Sequence, residues 1–466
     1  MGDVPPPPYP VQEGEKSLSP LKETRYSIGE QAQRAGSPHR ASPKHMSAEA
    51  EIRRRIQARG AITFAEFMEL ALFWPDGGYY IGSERIGSSG DFYTSPLAHP
   101  AFGALLAVQL FQMWQIMGQP SPFTVVELGA GNGLLCRDLM SYSVELPDAF
   151  SQSLRYLCLD RRASPGVERT PLTPSLSIAR IAATGVPLRG IHGCFLSNEF
   201  LDAFPVHQVT VREGRLLEVY VTQRGEELVE TLAEPSTPRL AARLAGLGVA
   251  LAEGQIAEIN LGLEAWAREV SAALEEGFVL TIDYGQAAAD LYSTQRHRGT
   301  LTSFYRHTQT DAPLRQIGRQ DITAQVDFTS VVNAGCVVGL EPLGFTRQRE
   351  FLFNLGLGQL QQRLSSVELS HRQLQANRAG MLDLARPQGL GDFKVLAQGK
   401  NVRPAPLSGF GPSAEAASLA SVLPVPLLTA QHLSLLEGRY PHAEFEFELE
   451  SLWPFEGDPS GRPSET

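Results

Sequence analysis

The chain is poor in cysteine, with four residues in 466: Cys136, Cys158, Cys194 and Cys336. They are scattered, so their spacing offers neither a disulfide framework nor a metal-binding pattern. Three lie in apolar runs expected to form core, and all read as free thiols of a reducing compartment. No metal is expected. No apolar run approaches the roughly 20 residues that a membrane span needs, and the first residues carry no secretory signal. A basic excess is also lacking: 40 Lys and Arg stand against 51 Asp and Glu, a net charge of −11. Nucleic acid is therefore not the expected partner, and a basic peptide or protein is accommodated more easily. No internal repeat is visible. What remains, 42% apolar and 20% charged residues, is the composition of a soluble globular protein.

The most informative stretch is Phe123-Thr-Val-Val-Glu-Leu-Gly-Ala-Gly-Asn-Gly-Leu-Leu135. A β-branched run, Thr124 to Val126, breaks at Gly129, Gly131 and Gly133 and continues as a helix-like apolar segment. That is the pattern of a buried parallel strand, a tight turn and a helix start. Glycine there allows positive φ and close approach of a ligand. The spacing is G-x-G-x-G, whereas a dinucleotide fingerprint needs G-x-G-x-x-G. No Lys-Ser or Lys-Thr follows, which excludes a P-loop. Glu127 precedes the first glycine; an acid there repels a diphosphate and attracts an ammonium. S-adenosylmethionine (SAM) has an ammonium and a ribose but no phosphate, so it suits the pattern best; another nucleotide and a purely structural turn are the competing readings. The run Arg155-Tyr-Leu-Cys-Leu-Asp160 supplies a second strand with an acid at its end, placed to hold ribose hydroxyls or, alternatively, to cap a helix.

The organisation expected from the sequence is an α/β chain with a Rossmann-like sheet, helices on both faces, an N-terminal helical region and inserted β segments. Its divisions are a disordered extension over 1–45, a helical region over 46–120 that caps the cofactor site, a SAM-binding domain with insertions over 121–400, and a linker with a small C-terminal extension over 401–466. Met46 is an alternative start. Helical patterns cover 48–59 and 64–72, the second capped by Thr63, and 254–274, where Ile259, Leu263, Trp266, Val270 and Leu274 form a stripe. Strands are expected over 193–197, 207–211, 216–222, 278–283 and 393–397. Residues 403–417 read as a linker. The alternating Glu444-Phe-Glu-Phe-Glu-Leu-Glu450 reads as an edge strand with one acidic face.

Three further groups are candidates for the site. Asp91 and Thr94, just ahead of the nucleotide strand, are placed to close over the ligand or simply to cap a helix. Asn198, Glu199 and Asp202 follow a strand whose carboxyl end flanks the ligand crevice. Asp283 also ends a strand; a substrate-facing acid and an acid bonded to backbone amides are both open readings.

In combination, Gly78-Tyr-Tyr80, Gly90-Asp-Phe-Tyr-Thr-Ser-Pro96, Glu127-Leu-Gly-Ala-Gly-Asn-Gly133, Asn198-Glu-Phe-Leu-Asp-Ala-Phe-Pro-Val206, Ile282-Asp-Tyr-Gly285 and Asp321-Ile-Thr-Ala-Gln-Val-Asp-Phe328 resemble the MidA-like family of class I SAM-dependent methyltransferases. The resemblance spans about residues 48–397. Leu97 and Gln325 stand where the family usually has an acid and a histidine, and Asp160 is followed by Arg161-Arg-Ala-Ser-Pro165. The resemblance implies methyl transfer from SAM to an acceptor nitrogen, most simply a protein arginine, with a respiratory-complex subunit as target. A small-molecule methyltransferase and a SAM-binding assembly factor remain as alternatives. The compartment implied by the free thiols is the cytoplasm or, alternatively, the mitochondrial matrix. Glu199 and Asp202, oriented by Asn198, are the expected acceptor-site acids. Glu127, Gly129, Gly131, Gly133, Asp160, Asp91 and Thr94 are the expected donor site.

Overall fold

The computed structural model describes residues 46–81, 93–162, 177–305 and 308–432. The expected extension over 1–45, Asp91, and the alternating segment 444–450 lie outside them.

The strands, in chain order, are β1 (Phe123–Leu128), β2 (Leu154–Asp160), β3 (Ser177–Ala182), β4 (Ile191–Asn198), β5 (His207–Arg212), β6 (Arg215–Arg224), β7 (Glu227–Ala233), β8 (Ile256–Ile259), β9 (Leu274–Asp283), β10 (Glu341–Arg347) and β11 (Lys394–Lys400). Seven of them form the main sheet in the order β10-β11-β9-β4-β1-β2-β3. Pairing is parallel from β3 through β9 and antiparallel where β11 joins β9 and β10. The strand order reverses between β1 and β4, and the crevice outside the carboxyl ends at such a reversal is where open α/β sheets bind ligands.

The alternation of β1 serves two cores. Phe123 and Val125 enter one cluster with the helices Ala101–Ile116 and Leu134–Ser143. Val126 and Leu128 enter another with the helices Leu263–Ala273 and Phe328–Val337. Burial on both faces explains why β1 reads as an almost continuous apolar run. The sheet thus has helices on both faces, as expected.

The expected inserted strands are present. β5, β6, β7 and β8 form a separate antiparallel sheet, joined at β6 by the short strand Ile62–Thr63. The helices Ala48–Arg59 and Phe64–Phe73 pack into the same cluster as Val206, Val221 and Ile322. Thr63 caps the second of these helices, its hydroxyl accepting from the Glu66 amide at 3.1 Å.

Two expectations are corrected. The stripe over 254–274 is not one helix: Ile256–Ile259 is β8, and the helix is Leu263–Ala273. Asn260 turns the chain between them, its side chain accepting from the Gly262 amide at 2.8 Å, and the four-residue spacing from Ile259 to Leu263 crosses that turn. Residues 403–417 are not a free linker. Leu407 and Ala416 are buried in the main core cluster, and the helix Ala414–Val422 packs on Leu357–Leu364.

Candidate active site

The glycine turn is held from two strands, β2 and β3. Gly129, Gly131 and Gly133 have φ of 70°, 50° and 79°, a region that disfavours any side chain. The Gly129 amide donates to Leu159 O at 2.9 Å. Asp160 Oδ2 accepts from the Gly131 amide at 3.0 Å, and its Oδ1 accepts from the Arg162 amide at 3.1 Å. From β3, Arg180 donates to Asn132 O at 3.0 Å and Gly131 O at 3.5 Å. A Cβ on Gly129 would stand 2.7 Å from the Phe200 ring.

A cleft of about 1840 Å³ opens at this end of the sheet. Its walls include Glu127, the loop from Gly129 to Asn132, Asp160, Thr94, and the group Asn198, Glu199 and Asp202. The structure therefore brings together the described residues expected in the site except Gly133, which lies behind the loop against Arg180. Glu127 is 5% exposed and accepts from the Tyr156 hydroxyl at 2.9 Å. Burial pushes its carboxyl well above the usual carboxylate range, against the pull of that hydrogen bond.

These features fit SAM. The loop has no room for side chains, and Glu127 is a buried acid suited to a cation. Arg180, the charge a diphosphate would need, is engaged with the loop carbonyls. Asp160 ends β2 at the cleft wall, where a ribose diol needs an acceptor.

The second group follows β4. Glu199 has φ 51°, an uncommon conformation for a side-chain-bearing residue. Its amide donates to Ile282 O at 2.9 Å, and its Oε1 accepts from Asn198 Nδ2 at 2.9 Å. Burial, and after it the neighbouring Asp202, push Glu199 up to about 8; Asn198 and the Ser95 amide oppose this, and Asp321 adds to it. Burial pushes Asp202 up to about 6, against a hydrogen bond from Tyr284. Asp202 is 5% exposed, and its Oδ1 has no hydrogen-bond partner among the described residues.

Asp283 takes the backbone role. Its Oδ2 accepts from the amides of Phe200 at 3.1 Å, Leu201 at 2.9 Å and Asp202 at 3.4 Å, and its Oδ1 from the Tyr284 amide at 2.9 Å. It is fully buried and shapes the turn that presents Glu199 and Asp202. Thr94 reaches the cleft, and its side chain makes no capping bond to the short helix Ser95–Ala98.

Sequence reasoning missed Arg180, Tyr80, Tyr284 and Asp321. Arg180 lies in a stretch with little pattern. The other three stand within the family-like segments but are separated by up to 241 residues from the groups they meet.

A family model described as "Putative S-adenosyl-L-methionine-dependent methyltransferase" matches residues 105–346. The chain belongs to that methyltransferase family. The expected resemblance, fold and methyl donor are all met: this methyltransferase uses SAM. It is 29% identical over 399 residues to the Drosophila melanogaster "Protein arginine methyltransferase NDUFAF7 homolog, mitochondrial", covering 77% of this chain and 86% of that one. It is 29% identical over 341 residues to the human protein arginine methyltransferase NDUFAF7, mitochondrial, covering 65% and 72%. A Burkholderia thailandensis structure bound to S-adenosyl-homocysteine (SAH) superposes with a TM-score of 0.69 at 29% identity, covering 79% of this chain and 96% of that one. The named relatives are mitochondrial, and the cytoplasmic expectation finds no support among them.

Proposed function

We propose that this methyltransferase acts on protein arginine, with Glu199 and Asp202 receiving the guanidinium. The observation that carries this reading is the Asp202–Glu199 pair. It sets a buried carboxylate oxygen without a partner beside a second acid, both pushed up by burial. A planar cation that stays protonated and offers several N–H donors relieves that arrangement; a neutral acceptor does not. The cleft also exceeds the roughly 300–1,000 Å³ of an ordinary small-molecule pocket, leaving room for a peptide segment beside the donor. The names of the relatives support the same acceptor.

In this reading Glu127 holds the methionine ammonium, and Asp160 the ribose. The glycine loop lets the donor lie against the backbone, and Thr94 closes over it. SAM supplies an electrophilic methyl group. The Nη–CH₃ bond forms as the S–CH₃ bond breaks, SAH leaves, and the proton displaced from Nη passes to the Glu199 carboxylate. Glu199 and Asp202 pair with the other N–H groups and draw positive charge from the reacting nitrogen. Asn198 holds Glu199 in place through its amide. The relatives' mitochondrial compartment supports a mitochondrial matrix location, and the family resemblance supports a respiratory-complex subunit as target.

Glu199→Gln tests this directly. The variant is expected to bind SAH as the parent does and to lose methyl transfer to protein. Normal methylation by the variant refutes the role of Glu199. Label entering a small-molecule fraction points instead to a different acceptor on the same fold.

A further inference from the structure

Two of the family-like segments, Gly78-Tyr-Tyr80 and Asp321-Ile-Thr323, meet in the cleft although 241 residues separate them. The Tyr80 hydroxyl donates to Asp321 Oδ2 at 2.7 Å, and the Ile322 amide donates to Asp321 Oδ1 at 2.8 Å. Both side chains line the cleft that holds Glu199 and Asp202, yet Asp321 is only 1% exposed. The short strand that carries it pairs antiparallel with Thr302–Tyr305. It is tied to the Glu199 turn through the Ala324 amide, which donates to Asp202 O at 3.0 Å.

Tyr80 has little freedom. Its amide donates to Leu72 O at 2.9 Å. Its ring stacks on Phe73, with centroids 5.5 Å apart and 18° between planes, and meets Tyr79 edge-on at 5.0 Å. The hydroxyl therefore points to one place, and that place is an acid facing the acceptor end of the cleft.

A guanidinium presents five N–H donors in one plane. One carboxylate satisfies two of them in a bidentate pair. Holding the plane steady while one Nη faces the methyl group needs acceptors from more than one direction. Glu199 and Asp202 come from the turn after β4, and Asp321 comes from a different part of the chain.

We propose that Asp321 is a further acceptor-binding residue, and that Tyr80 is the positioning residue that aims its carboxylate. The inference rests on the arginine reading of the site and deepens it. The N-terminal segment then contributes to methyl transfer through Tyr80 by way of Asp321, with no contact to the donor required.

The test uses the full chain, an arginine-containing peptide that the parent enzyme methylates, and the variants Asp321→Asn, Tyr80→Phe and Glu199→Gln. Asp321→Asn is expected to lower kcat/KM for the peptide by about 100-fold, in both KM and kcat, with SAH affinity and Tm close to the parent's. Tyr80→Phe keeps the ring packing and is expected to lower it by about tenfold in the same way. Asp321→Glu, which keeps the charge, is expected to recover part of the loss. Parent-like kinetics in Asp321→Asn overturn the inference. So does a loss of activity that only follows a fall in SAH affinity or Tm, because that marks Asp321 as a structural tie. Should Asp321→Asn fail to fold, Tyr80→Phe decides by the same criteria. If Glu199→Gln also methylates the peptide normally, the arginine site itself is misplaced, an outcome distinct from failure of Asp321 alone.

Discussion

Replacing Glu199 by glutamine is expected to stabilise the fold, and to do so more as pH rises. Glu199 is pushed from 4.5 in an unfolded chain to about 8 in the folded one, burial being the largest cause. Between those values the folded state holds a proton that the unfolded state has released. Stability of the parent therefore falls as pH rises from about 4.5 to about 8 and is level above that. A shift of about 3.5 units at about 1.36 kcal/mol each sets an upper bound of about 5 kcal/mol. Water in the open cleft screens part of this, leaving about 2 kcal/mol. Glutamine can still accept from Asn198 and the Ser95 amide, and it keeps the φ of 51°, so the comparison isolates the charge. Thermal unfolding of parent and variant from pH 5 to pH 9 reads it: the variant is expected to gain about 2–4 °C at pH 8.5 and almost nothing at pH 5. A Tm difference independent of pH, or a loss of stability in the variant at pH 8.5, refutes the raised carboxyl of Glu199.

Gly129→Val is expected to abolish SAH binding, measured by calorimetry, because φ 70° and the Phe200 ring 2.7 Å from a Cβ both oppose a side chain. Asp283→Asn is expected to cost about 2–4 kcal/mol in urea unfolding, since an amide nitrogen would face N–H donors that now meet a carboxylate oxygen. Arg180→Gln is expected to weaken SAH binding about tenfold with a smaller loss in Tm, as the Gly131 and Asn132 carbonyls lose their shared donor; undiminished SAH affinity removes Arg180 from the loop's support.

The donor half of the site was legible because its determinants are contiguous. An acid, three glycines and a strand pattern sit within a dozen residues, and Asp160 ends the next strand. The acceptor half was legible only in part. Asn198, Glu199 and Asp202 showed as polar groups among apolar ones, but their chemistry depends on burial and on neighbours far along the chain. Asp283 illustrates the limit: a substrate-facing acid and a turn-bracing acid look the same at a strand's end. What decides is where the amides of Phe200 and Leu201 fold. Tyr80 and Asp321 gave no sign of meeting because nothing local links residues so far apart. The false helix over 254–274 arose because the turn Asn260-Leu-Gly262 happened to preserve a four-residue apolar spacing.

Protein arginine as the acceptor is tested most directly by incubating the enzyme with methyl-labelled SAM and mitochondrial protein and assigning the labelled residues by mass spectrometry. Label on arginine side chains, present with the parent and absent with Glu199→Gln, is the predicted result. Label confined to other residue types or to small molecules, or arginine label undiminished in Glu199→Gln, contradicts it.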